Sequence, residues 1–119
     1  MKIKVISLWQ PWASLIALGH KRIETRSWYT PYRGQIAIHA AKHWGAAIDD
    51  LCRTDEFRRC LPRSVSKIPL GAVVAVARLV DCVPTYPLGN LTDKERHFGD
   101  FTAGRFAWLL DDVRPLSTP

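Results

Sequence analysis

The chain has 119 residues, 47% hydrophobic and 24% charged, a balance that excludes disordered and collagen-like architectures and suits a domain with its own core. Seventeen Lys and Arg against eleven Asp and Glu leave a formal charge of +6, which favours a polyanionic or phosphate-bearing partner but serves solubility equally well. Three scattered cysteines with no Cys-x-x-Cys pair argue against a disulfide framework or zinc knuckle and for a reducing, cytoplasmic setting.

Residues 1–119 read as a single domain. Ile3 to Leu8 alternates and is rich in β-branched residues, as a first strand is, and its apolar part is too short for a signal peptide. Nowhere does an apolar run approach the ~20 residues of a membrane span. Pro11 stands where a first helical turn tolerates proline and Gly19 where a helix ends, so a short helix is predicted from Pro11 to Leu18. Arg22 to Tyr29 alternates again, Thr30 to Gly34 is a turn, and Gln35 to Ala41 is the next strand. Between Trp44 and Leu61 apolar residues recur at helical spacing, with a break near Thr54. Gly71 to Val83 is long and apolar, predicting a central strand buried on both faces. Thr92 caps a short helix reaching His97, and Arg105 to Val113 forms the last strand. The expected fold is α+β, a mixed, mostly antiparallel, barrel-like sheet with two or three flanking helices.

No Walker-type phosphate loop, GxGxxG, HExxH or GxSxG stretch occurs, which removes the best-marked kinase, dehydrogenase, zinc-protease and α/β-hydrolase readings. His39 falls in a strand and His43 beyond its end, a poor geometry for chelation, so no metal site is predicted. What remains is GHKRIETR, Gly19 to Arg26. On a regular strand Glu24 and Arg26 share a face while Lys21 has the opposite parity, so the three converge only if the turn extends to Lys21. Converged, an ammonium, a carboxylate and a guanidinium make a pocket for a polar planar group or a phosphate. Splayed, they are a surface ion-pair ladder worth ~0–1 kcal/mol per pair.

Trp9, Trp12, Trp28 and Tyr29 bracket this segment, and aromatic faces beside cations suit base stacking, although indoles equally fill cores. Trp12 and Trp28 are the two expected in the core. Gln10, next to Pro11 at the mouth of the helix, is placed either to read a base edge or to cap that helix. His39 and Lys42, at the end of a neighbouring strand, complete a substrate-binding set of Trp9, Gln10, Pro11, Trp28, Tyr29, His39 and Lys42.

Ser7-Leu8-Trp9-Gln10-Pro11-Trp12-Ala13, the Gly19-x-Lys21-x-x-Glu24-x-Arg26 signature, Ser27-Trp28-Tyr29-Thr30-Pro31 and Arg33-Gly34 together resemble the ASCH (activating signal cointegrator-1 homology) family. Looser agreement runs through Ile38 to Ala41, Gly71 to Cys82 and Arg105 to Pro115. The resemblance implies a PUA-like fold, a small β-barrel with helices at its sides and a cleft beside the GxKxxExR segment. It implies one of three functions: binding RNA or single-stranded nucleic acid, ribonuclease activity, or amidohydrolysis of N4-acylcytosine nucleosides. The small amidohydrolases of the family use a lysine in this motif, a threonine three residues later and a distant glutamate. Lys21 matches the lysine, whereas position 24 holds Glu24 with Thr25 beside it, and the distant carboxylate falls in the Glu95 or Asp100 region. The expectation is therefore a metal-independent, cofactor-free amidohydrolase with Lys21, Glu24, Thr25 and Arg26 as catalytic candidates. Glu24 activates a water, Lys21 or Arg26 holds the oxyanion, and the partner is a nucleoside or RNA.

Overall fold

In chain order the elements are β1 (Lys4–Leu8), α1 (Trp12–Ala17), β2 (Ile23–Arg26), β3 (Gly34–Ala40), α2 (Ala46–Cys52), α3 (Asp55–Arg58), β4 (Ala72–Pro84), α4 (Asp93–Phe98) and β5 (Phe106–Pro115). The computed structural model describes residues 3–62 and 68–116. Five strands form one sheet in the order β1-β3-β4-β5-β2. β1 is parallel to β3, and the other three pairings are antiparallel. The sheet curls into a half-barrel around α1, which buries Ala13, Ser14, Leu15 and Ile16.

Four short helices flank the sheet among the described residues, rather than two or three. The helical stretch between Trp44 and Leu61 divides at Thr54, whose backbone is extended and whose hydroxyl donates to Leu51 O at 2.6 Å. At the start of α4 the Thr92 hydroxyl accepts from the Glu95 amide at 3.0 Å, the N-cap that its side chain favours.

β4 is the middle strand, as its apolar run predicts, but it is not buried on both faces throughout. From Arg78 onward it exposes Arg78, Val80 and Asp81, the last two consecutive at a register shift, and Arg78 pairs with Asp111 and Asp81 with Arg33. The core joins Leu8 of β1, Ile38 of β3, Ala75 and Leu79 of β4 and Trp108 of β5 to Ile16 of α1. Burying one such Leu or Ile stabilises by about 1.5–3 kcal/mol. A second apolar cluster, Leu15, Phe57 and Phe98 with Trp12 and Leu51 against it, ties α1 to α2, α3 and α4.

The sheet stays open between its two edges, β1 and β2. An unpaired strand edge is a template for another chain, and here side chains satisfy it instead. The Ile23 amide donates to Glu95 Oε1 at 3.1 Å, the Ile23 carbonyl accepts from the Lys21 ammonium, and the Thr25 carbonyl accepts from Arg105 Nη2 at 3.0 Å. Across the opening, Arg26 Nη1 donates to Ser7 O at 3.3 Å, linking β2 to β1. Among the described residues no helix is long and apolar enough to cross a membrane.

Candidate functional site

The reversal after α1 sets the site. Gly19 has φ +84°, a conformation that costs glycine little, and the amides of His20 and Lys21 then both donate to Leu15 O, at 2.9 and 3.1 Å. This folds Lys21 back beneath β2. Its Nζ lies 3.9 Å from Glu24 Oε1, while Glu24 Oε2 accepts from Arg26 Nη1 at 3.2 Å. The turn thus extends to Lys21, and the ammonium, carboxylate and guanidinium converge. The Arg26 guanidinium also packs on the rings of Trp28 and Trp108, 4.7 and 5.9 Å from their centroids.

Burial differs sharply among the three. Lys21 is 1% exposed, against 13% for the Glu24 side chain and 21% for that of Arg26, so Glu24 and Arg26 are the two that present surface. Loss of water pushes the Lys21 ammonium down from its ordinary value, with Glu24 and Glu95 acting in the other direction. Loss of water likewise pushes the Glu24 carboxyl up, opposed by Lys21 and Arg26. The two shifts bring an acid and a base closer together, as proton-transfer chemistry near neutral pH requires.

Over this trio opens a cleft of about 690 Å³, within the size range of small-molecule sites. It lies at the open seam of the half-barrel. Ser7, Leu8 and Trp9 at the end of β1 form one wall, and Glu24 to Trp28 the facing one. Trp12, Leu51, Phe57 and Phe98 give it an apolar side; His97, Asp100 and Arg105 give it a polar one. Trp9 and Trp28 stand at the rim, 55% and 51% exposed.

Trp12 is half-buried, edge-on to Phe57 with centroids 6.3 Å apart. Trp28, expected in the core, is not there: β2 ends at Arg26, so the indole lies beyond the strand, edge-on to Trp108. Thr25 has the opposite parity to Glu24, and its hydroxyl accepts from the Asp100 amide at 3.3 Å.

Several predicted residues lie outside the cleft lining. Gln10 is fully buried, its amide bonded to the Ser14 hydroxyl, the Ser14 amide and the Pro69 carbonyl, so of its two expected roles the structure places it in the helix-capping one. Pro11 is buried beside it. Tyr29 stands outside, edge-on to Phe106. His39 Nδ1 is 2.6 Å from Ser7 Oγ on the outward side of β3, and the Lys42 stem lies over Gly71, where an added Cβ would come within 2.5 Å of it.

Of the two candidate distant carboxylates, Glu95 caps the β2 edge. Asp100 lines the cleft, its carboxyl held below the usual range by the hydroxyl and amide of Thr102. His97, Phe57, Phe98 and Arg105 were not singled out by the sequence. Their only local signal is the turn and helix punctuation around them, because they reach the cleft through contacts distant in the chain. Among the described residues no three His, Cys, Asp or Glu side chains gather as a metal site.

The ASCH domain family profile matches residues 6–111. Activating signal cointegrator 1 of Homo sapiens is 39% identical over 83 residues, and that of Mus musculus 36% identical over 83 residues. Each alignment covers 66% of this chain and 14% of the relative, so the chain spans about one seventh of the curated proteins it matches. Among solved structures, a tyrosine-to-phenylalanine mutant of the Zymomonas mobilis ASCH protein superposes with a TM-score of 0.53 at 24% identity, covering 97% of this chain and 73% of that one. A second crystal structure of that ASCH protein gives a TM-score of 0.51 at 24% identity, covering 93% and 68%. These likenesses speak for the fold, which is PUA-like in a family with RNA-binding and hydrolase members. With the signature segment placed at the cleft and the family profile running nearly end to end, the chain belongs to the ASCH domain family.

Proposed function

We propose that the cleft hydrolyses the exocyclic amide of N4-acylcytosine nucleosides such as N4-acetylcytidine, without a metal or cofactor. The observation that carries this reading is a largely buried carboxylate, Glu24, set between a sealed ammonium and a guanidinium beneath two exposed indoles. Glu24 takes a proton from a water as its oxygen bonds to the acyl carbon. Arg26, which presents more surface than Lys21, stabilises the resulting oxyanion. Lys21 acts through Glu24, holding it in place and countering its protonation. Breakage of the bond between the acyl carbon and N4, with a proton delivered to N4, gives cytidine and a carboxylic acid. Trp28 or Trp9 stacks the pyrimidine. The three cysteines are free, and we place the protein in the cytoplasm.

A second reading, a non-catalytic RNA or single-stranded nucleic-acid binder, is favoured by the exposure of Trp9 and Trp28 together with the +6 charge. One experiment separates them. Purified protein in EDTA is incubated with N4-acetylcytidine, and cytidine release is followed. Turnover is expected, and Glu24→Gln is expected to lower kcat/KM by about 10²–10⁴ in protein that circular dichroism shows to be folded. An inert wild type that binds an oligonucleotide in a salt-sensitive manner supports the binder, and one that shortens the oligonucleotide supports a ribonuclease.

A further inference from the structure

We infer that His97 is the general acid of this site, the group that protonates N4 as the acyl bond breaks; the assignment rests on the deacylase reading above. An amide nitrogen leaves poorly as an anion, so a proton must reach it at or before cleavage. Glu24 is engaged with the attacking water, and Lys21 is sealed beneath the strand with its ammonium on the Ile23 carbonyl.

Among the imidazoles of the chain, His97 is the one that lines the cleft. His39 is bonded to Ser7, His43 is stacked on Trp9 with centroids 3.9 Å apart, and His20 Nδ1 meets Lys94 Nζ at 2.6 Å. The His97 ring packs beside Phe57 and Phe98, with centroids 5.5 and 5.8 Å away, which fixes its place on the cleft wall. Its Nε2 lies 3.6 Å from Glu56 Oε2, ion-pair distance for a protonated ring.

The other charged groups of the two helices are engaged elsewhere or make no ion pair among the described residues. Asp55 pairs with Arg58, Lys94 meets His20, and Glu95 caps β2. Asp93, Arg96 and Arg59 make no ion pair among the described residues. The other charged groups lining the cavity are Lys21, Glu24, Arg26, Asp100 and Arg105. The imidazolium proton passes to N4 as the bond between N4 and the acyl carbon breaks. The water proton on Glu24 then leaves to solvent, and His97 is reprotonated from solvent, so the balance is one water consumed per amide cleaved.

The test compares wild type, His97→Asn and His97→Ala on N4-acetylcytidine, with circular dichroism melts of each. The expected result is a fall in kcat of about 10²-fold or more in both variants with KM unchanged, and partial recovery of the alanine variant by added imidazole. An active wild type matched by an equally active His97→Asn overturns the assignment alone and leaves the deacylase reading standing. A loss of activity that tracks a lowered melting temperature and resists imidazole also overturns it. An inert wild type overturns both.

Discussion

Along β3 and β4 the sheet holds itself by its own ladder, with aliphatic side chains such as Ile38 and Leu79 filling the concave side. Along the outer side of β2 there is no neighbouring strand, and Glu95, Lys21 and Arg105 take the places of a partner's amides and carbonyls. The first arrangement buries apolar surface at no electrostatic cost. The second draws charged groups out of water, and they persist there because each is matched by an opposite charge or a backbone dipole. The difference teaches why the cleft lies where it does. A half-barrel that stops one pairing short of closure leaves a slot that polar side chains finish, and the cleft opens over them, with Lys21 and Arg105 in its lining.

The comparison is tested first at Lys21. If the ammonium substitutes for a strand, Lys21→Met is expected to destabilise by about 3–5 kcal/mol in urea titration, as much as an aliphatic deletion in the core, by leaving Glu24 and the Ile23 carbonyl short of a partner. The double variant with Glu24→Gln is expected to recover part of that loss. A Lys21→Met protein as stable as wild type breaks the comparison.

A smaller effect is expected at the rim. Trp28→Ala is expected to weaken nucleoside binding by about 1–3 kcal/mol in calorimetry while leaving the urea midpoint nearly where it was, since the ring is half exposed. A large fall in stability instead would return Trp28 to the core.

The smallest effect is in pH. Burial lowers the Lys21 value in the folded state below its ordinary 10.5, so in the range between the two the unfolded chain binds more protons and folding stability rises with pH. This gain is lost as pH falls through the lowered value. Melts of wild type against Lys21→Met across the alkaline range are expected to show that slope in wild type alone. For Glu24 the sign reverses: its raised value favours the folded state at low pH and the benefit is lost as pH rises through it, and the acid limb of kcat/KM is expected above the ordinary 4.5.

What could be read in the chain was local. The reversal at Gly19, the cap at Thr92, the break at Thr54 and the middle position of β4 follow from residue types and spacings within a few positions. Convergence of Lys21 with Glu24 and Arg26 was legible as a condition on one turn. Trp28 was misplaced because an alternating pattern runs to Tyr29 while hydrogen bonding stops at Arg26. The wall carrying Phe57, His97 and Phe98 was not legible, since those side chains reach the cleft through a second apolar cluster assembled from α1, α3 and α4. No short-range pattern encodes such a meeting.

The pairing of β2 with β5, Ile23 opposite Leu109 and Arg26 opposite Phe106, has a consequence for how the molecule comes into being. Translation delivers the earlier strand long before the later one, so a ribosome-bound chain already carries the whole charged segment while it lacks the surface that shelters it. Interruption anywhere between α2 and α4 yields a polypeptide with the complete motif and no binding cavity. The cavity is completed only when the final strand pairs with β2.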